Sequence, residues 1–278
     1  MKVNIFFAGV FPFSWQHLER ILESNKFEIS GILLSKQRKH TSLWIENKIN
    51  QLGKFIIFWD QKSLLQNLTA NSADQASQVL VIAGFPEKIN PQVIEAFNGR
   101  VVNVHPSFLP DFAGPDPVRR AILQGIDKFG YTIHKATSEI DSGFIFKQSL
   151  VKTSTSWITE RIIEEIGAIS SSELVEFLEK IHLHFSIPQI SKFRSSEFLG
   201  TKVADNEFNF TFKEDIQTIF RKLRAAGISR RLIFTRVDGS QSVIHPPDSM
   251  IYETRIILEI GSGPIAIRWD PGGSLSIE

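Results

Sequence analysis

Short apolar runs rich in β-branched and aromatic residues recur along the first half of the chain, with amphipathic stretches between them. Val3 to Ala8, Phe27 to Leu34, Phe55 to Trp59, Val79 to Ala83 and Arg100 to Val104 read as strands. They are apolar on both faces, as a buried parallel sheet requires. Trp15 to Leu22, Thr41 to Leu52 and Pro91 to Phe97 carry helical spacing. Ser14 stands where an N-cap would, Pro91 opens its helix and Asn98-Gly99 closes it. In Thr41 to Leu52 the expected core positions are Leu43, Trp44, Ile45, Ile49 and Leu52. This is the βαβ rhythm of an α/β fold with a doubly wound, mostly parallel, Rossmann-like sheet.

The pattern then changes. Val118 to Gln124 predicts a helix ended by Gly125, Gly130 to Lys135 a strand, Thr137 to Gly143 a polar loop, and Phe144 the start of another strand. Ile158 to Ile181 predicts one long amphipathic helix with Ile162, Ile166, Ile169, Leu174, Phe177 and Leu178 inward. Ser186 to Asn206 is polar and irregular. Beyond it, Lys213 to Ala226 predicts a helix and Arg231 to Val237 a strand. Asp238-Gly239 predicts a hairpin turn. Ser242 to His245, Tyr252 to Ile260 and Gly263 to Trp269 predict further strands. The expected organisation is a main α/β domain over 1–185, a linker over 186–206 and a small β-rich carboxy-terminal domain over 207–278.

Composition narrows the function classes. The 278 residues are 42% hydrophobic and 22% charged, ordinary for a globular protein, and include no cysteine. Disulfides and thiolate metal sites are thereby excluded. Met1 to Ala8 reads as a first strand rather than a signal peptide. No apolar run approaches the roughly 20 residues that span a membrane, so a cytoplasmic protein is expected. The net charge of +1 argues against an extended nucleic-acid surface. Two basic stretches stand against that average. Arg221, Lys222, Arg224, Arg230, Arg231 and Arg236 could meet phosphate or RNA, or form a solvated face. Ser35 to Thr41 carries three cations. There is no Gly-x-Gly-x-x-Gly, so a dinucleotide site is not expected.

The chemistry concentrates in Asn103-Val-His-Pro-Ser-Phe-Leu-Pro110 and Asp141-Ser-Gly143. Asn103 and His105 lie two apart, so an extended chain projects them to one side. Pro106 and Pro110 stop the strand. Polar groups at the carboxyl end of such a strand sit where open α/β sheets bind ligands. Taken singly, each residue has an ordinary reading as a turn or packing residue. Together they set an amide, an imidazole and a carboxylate on one scaffold, a set that can move an acyl group onto an amine.

These segments, with Ala83 to Pro91, Gly114-Pro-Asp-Pro117 and Gly130-Tyr-Thr-Ile-His134, resemble the 10-formyltetrahydrofolate-dependent formyltransferase superfamily over about two thirds of the chain. The resemblance implies a catalytic trio of Asn103, His105 and Asp141. It implies a folate pocket on the loop Phe85, Pro86, Glu87, Lys88 and Ile89, and on the loop from Thr137 through Ile140 to Asp141. A primary amine would attack the formyl carbon. Asn103 and a protonated His105 would donate to the oxyanion, and Asp141 would orient the imidazole and relay a proton. Neither a metal nor a Ser or Cys nucleophile is required. Gly9-Val-Phe-Pro-Phe13 lacks the phosphate-cradling loop of ribonucleotide-specific members. That counts against a ribonucleotide, and the compact length, near-neutral charge and lack of the basic, Gly-rich insertion of methionyl-tRNA members make an amine on a nucleotide-linked sugar the expected acceptor. Methionyl-tRNA is the alternative, followed by water (a formyltetrahydrofolate hydrolase) and by a non-catalytic folate-binding protein. A homodimer is left open.

Overall fold

The computed structural model describes residues 2–10, 13–53, 55–70, 78–181, 201–211, 213–236, 238–244, 254–260 and 263–277. By packing, the chain separates into two compact units that interleave in sequence. The first comprises 1–113, 130–150 and 166–197; the second comprises 114–129, 151–165 and 198–278. The segments 114–129 and 151–165 thus pack with the tail, although a division drawn along the chain places them in the main domain. Most of the expected linker lies outside the described residues.

The first unit is built on a seven-stranded sheet in the order β3-β2-β1-β4-β5-β6-β7. The strands are β1 (Val3–Gly9), β2 (Phe27–Leu33), β3 (Ile57–Phe58), β4 (Gln78–Ala83), β5 (Val101–His105), β6 (Phe129–Lys135) and β7 (Ile145–Val151). β1 to β5 pair in parallel. β6 reverses against β5. The helices are α1 (Phe13–Glu23), α2 (Lys39–Leu52), α3 (Gln61–Ala70) and α4 (Pro91–Ala96), with α6 (Thr159–Leu178) following β7. One apolar cluster gathers Phe6, Leu80, Ile82, Ile89, Val93, Phe97 and Val101. Asn90 caps α4, its side chain accepting from Gln92 N at 2.9 Å.

Two expectations fail here. Ser14 lies inside α1 and caps nothing; it is fully buried, and its Oγ has no partner among the described residues. Gly9 explains the position, because a Cβ there would stand 2.4 Å from the Ser14 Cβ and 2.6 Å from the Ala83 carbonyl oxygen. The helix approaches β1 too closely for a larger residue at either place. In α2, Ile45 and Ile49 are core residues, whereas Leu43 is 36% exposed and Leu52 60% exposed. The buried stripe runs Ser42, Ile45, Ile49; Leu43 lies off it, and Leu52 continues the spacing but is exposed in the last turn.

The second unit contains α5 (Pro117–Leu123) and α7 (Ile216–Ala226). It also holds two three-stranded sheets, β10-β9-β8 and β11-β12-β13. β8 is Phe210–Thr211, β9 Leu232–Thr235, β10 Gln241–Ile244, β11 Thr254–Ile260, β12 Gly263–Asp270 and β13 Ser274–Ile277. The expected hairpin forms: β9 and β10 pair antiparallel, and Asp238 Oδ1 accepts from Ser240 N at 2.8 Å. The helix expected from Lys213 starts at Ile216, with Asp215 as its cap. His245 and Val237 lie outside the described residues. No described helix is long and apolar enough to cross a membrane.

Candidate active site

β5 ends at His105, and the next two strand positions back place Asn103 on the same side. The loop after β6 returns Asp141 to both. Asn103 Nδ2 donates to Asp141 Oδ1 at 3.1 Å, and His105 Nδ1 stands 3.4 Å from Asp141 Oδ2. The three side chains expected to act together therefore meet on one carboxylate. Asp141 takes a left-handed backbone, φ 49°, uncommon for a residue with a Cβ but tolerated by Asp. Gly143 lets the loop fold back, since a Cβ there would lie 1.7 Å from the Lys135 carbonyl oxygen.

A fourth side chain joins them. β5 and β6 pair with Asn103 opposite His134 and His105 opposite Thr132. His134 Nε2 lies 3.0 Å from Asn103 Nδ2, and its Nδ1 lies 3.0 Å from the Lys135 carbonyl. The amide nitrogen can only donate and the carbonyl can only accept, so Nε2 accepts and Nδ1 carries the proton. His134 was not singled out as a site residue from sequence. The available signal was its strand position two beyond Thr132, but only the antiparallel register with β5 turns that position into a contact.

The site is nearly dry: the side chains of His105 and Asp141 are 7% and 9% exposed. Burial is the main influence on His105 and lowers its pKa below the ordinary 6.5. Asp141 and the Phe112 carbonyl offset part of that. A fully protonated imidazole is thus disfavoured, contrary to the sequence-based expectation. Yet both ring nitrogens face acceptors, Nδ1 toward Asp141 and Nε2 toward the Phe112 carbonyl at 3.0 Å. Neither neutral tautomer satisfies both with an ionised Asp141. One further proton on the His105–Asp141 pair, carried by either group, does, and it avoids an isolated buried charge.

The residues expected at the folate lie on two loops, one after β4 and one after β6. Ile89 is a core residue, and Phe85 packs against the same cluster. Glu87 Oε1 accepts from Ser35 Oγ at 2.5 Å, and the Lys88 carbonyl accepts from Gln61 Nε2 at 2.9 Å. Pro86 lies between them on the loop leaving the carboxyl end of β4. Because β6 is antiparallel to β5, its outgoing loop starts at the other end: Ala136 N donates to the Val101 carbonyl. Thr137 is at that start, with its Oγ1 donating to the Glu139 carbonyl. Ile140 is exposed, and Asp141 alone of this loop is placed at Asn103 and His105. Among the described residues, no group of three His, Asp or Glu is arranged to hold a metal ion.

The basic cluster of the tail is largely engaged within the second unit. Arg224 is buried, 3% exposed, and binds Asp127 at 3.0 Å and the Trp157 carbonyl at 3.0 Å. It belongs neither to a solvated face nor to a phosphate surface. Lys222 pairs with Glu214 at 2.7 Å, and Arg230 with Asp205 at 2.6 Å. Arg221 donates to Thr218 and Arg236 to Ser240.

Comparison with known proteins completes the site's context. The family described as Formyl transferase matches residues 18–175, more than half of the chain. A methionyl-tRNA formyltransferase of Borrelia garinii subsp. bavariensis is 28% identical over 272 residues, covering 93% of this chain and 82% of that protein. Among solved structures, a sugar N-formyltransferase from Shewanella matches with a TM-score of 0.65 at 16% identity, covering 90% of this chain and 99% of that one. A 4-N formyltransferase from Francisella tularensis matches with a TM-score of 0.66 at 15% identity, covering 87% and 96%. At such identities the structural likeness speaks for the fold.

Proposed function

The chain belongs to the formyl transferase family, enzymes whose formyl donor is 10-formyltetrahydrofolate, and from that premise we propose that its acceptor is a primary amine on a nucleotide-linked sugar. The observation that carries this reading is the state of the tail's cations. Arg224, Lys222 and Arg230 are engaged by Asp127, Glu214 and Asp205, which removes half of the six cations from the positive surface an RNA backbone would meet. The sugar N-formyltransferase from Shewanella shares this fold over nearly its whole length. Methionyl-tRNA is the second reading, favoured by the relative that matches over 93% of this chain.

The donor supplies an already activated formyl carbonyl. Asn103 is held in place before the reaction by His134 and Asp141, which use both of its N–H groups, so the amide is aimed in advance and one N–H turns from its partner to the developing oxyanion. The oxyanion competes with Asp141 Oδ1 for that donor. The His105–Asp141 pair takes up the proton released as the amine attacks and returns one to the departing nitrogen. The dry surroundings strengthen each of these interactions and restrict water as a competing acceptor.

Side-by-side assays with 10-formyltetrahydrofolate test the acceptor. A dTDP- or UDP-linked amino sugar is expected to be formylated saturably, with kcat/KM little changed by salt. Efficient formylation of methionyl-tRNA with no sugar turnover would overturn the proposal and leave the trio's role intact.

A further inference from the structure

We infer that Gln148 and Thr132 are positioning residues for His105, acting through the loop from Pro106 to Phe112. The inference deepens the reading of this site as a formyl-transfer centre and rests on it. The loop joins the histidine to the carbonyl that holds it, and its own hydrogen bonds lead to one junction. Thr132 Oγ1 donates to the Ser107 carbonyl at 2.7 Å and accepts from Leu109 N at 3.0 Å. Gln148 Nε2, from β7, donates to the Leu109 carbonyl at 2.6 Å and to the same Thr132 oxygen at 3.0 Å. Thr132 Oγ1 therefore uses its proton and both lone pairs, and Gln148 Nε2 uses both hydrogens. Ser107 Oγ closes the far side by donating to the Asp111 carbonyl at 2.7 Å. The next residue, Phe112, is in the left-handed region, φ 56°, and presents its carbonyl to His105 Nε2 at 3.0 Å.

The physical consequence is a choice of ring orientation. While the Phe112 carbonyl is fixed, Nε2 must carry a proton, and Nδ1 is the nitrogen left to Asp141. If the loop shifts, the ring can rotate or exchange tautomers, and Nδ1 loses its fixed place at Asp141. Thr132 is fully buried, so removing its hydroxyl leaves Leu109 N and the Ser107 carbonyl without their partner.

The test uses the full chain. Thr132→Val keeps the shape of the side chain and removes the hydroxyl; Thr132→Ser restores it. Gln148→Leu removes the amide, and Gln148→Glu keeps its shape while exchanging the donor for an acceptor. The first measurement is the ring 15N spectrum of His105 in uniformly labelled protein, assigned with His105→Gln, and needs no substrate. The native protein and Thr132→Ser are expected to show a protonated Nε2. Thr132→Val and the Gln148 variants are expected to show a tautomer mixture. The second measurement is turnover, with 10-formyltetrahydrofolate and a dTDP-linked amino sugar. In the altered variants kcat should fall about 10-fold or more with KM little changed, as loss of reactive geometry predicts. Folded variants with the native ring pattern overturn the inference, and so does an altered pattern with full turnover. If Thr132→Val does not fold, the two Gln148 variants decide. Absence of turnover in the native protein would count against the acceptor and leave the spectra to judge the positioning.

Discussion

Two buried histidines differ in the partners they meet. His17 lies between the Phe13 carbonyl and Ser170 Oγ, each at 2.8 Å. A hydroxyl can turn to donate, so a neutral ring satisfies both contacts. His105 meets two acceptors and needs a proton to satisfy them. Burial drives the His17 pKa down to about 4 from 6.5. As pH falls through that window the unfolded state binds a proton that the folded one refuses, so stability decreases toward acid. Between pH 6.5 and 5 the loss from His17 should be about 2 kcal/mol. Urea midpoints measured across that range check it, and His17→Gln should flatten the dependence. For the site itself, Asn103→Ala should lower turnover by about 100-fold, the usual effect of deleting an oxyanion donor, and His105→Ala by about 100-fold or more, the usual effect of losing a positioned acid–base group. Folate binding, measured by calorimetry, should survive both. Near-normal turnover of His105→Ala would reject the mechanism.

At the scale of elements, the loop bearing Asp141 depends on a contact that a turn signature does not express. Asp-Ser-Gly reads as an ordinary turn, but Gly143 is required because it lies on the Lys135 carbonyl. Gly143→Ala should destabilise the protein by about 1–3 kcal/mol and pull Asp141 away from Asn103. Thermal unfolding and kcat should fall together, and a variant with native values of both would refute the account. The strands β4, β5 and β6 were legible because they are continuous apolar runs ended by Gly, Pro or a polar loop. The strand spacing sets Asn103 and His105 side by side, whereas Asp141, 38 positions from Asn103, was expected there only from the family resemblance. His134 was not, since a sequence carries no direct record of which strands pair antiparallel. Leu43 was misplaced because helical spacing admits neighbouring stripes, and Leu52 because the stripe reaches the last residue of the helix, where packing ends. β8 and β13, two and four residues long, fall below what a periodicity argument resolves.

At the scale of the molecule, the family and the fold follow from the chain, while the acceptor depends on how surface charges are used. The cation list in the tail suggested a binding surface; the ion pairs give those residues internal work. Arg224→Ala should cost about 2 kcal/mol, less than a fully buried pair because Asp127 is 41% exposed. It should act on unfolding temperature rather than on acceptor affinity. Arg231→Glu lies on the exposed side and should leave sugar formylation unchanged. A loss of acceptor affinity in Arg231→Glu, together with a steep salt dependence, would bring RNA back as the acceptor.

The facing of Asn103 and His134 across β5 and β6 has a bearing on how such a gene can change length. Side chains alternate along a strand, so a single codon added to or removed from β6 ahead of His134 would turn that ring to the opposite face and replace it with its neighbour. Codons gained in the intervening excursion leave the pairing of the two strands untouched. Deletion and insertion scanning should therefore return an uneven map: intolerance within 129–135, tolerance in the connecting chain around Gly125, and no gradual boundary between them.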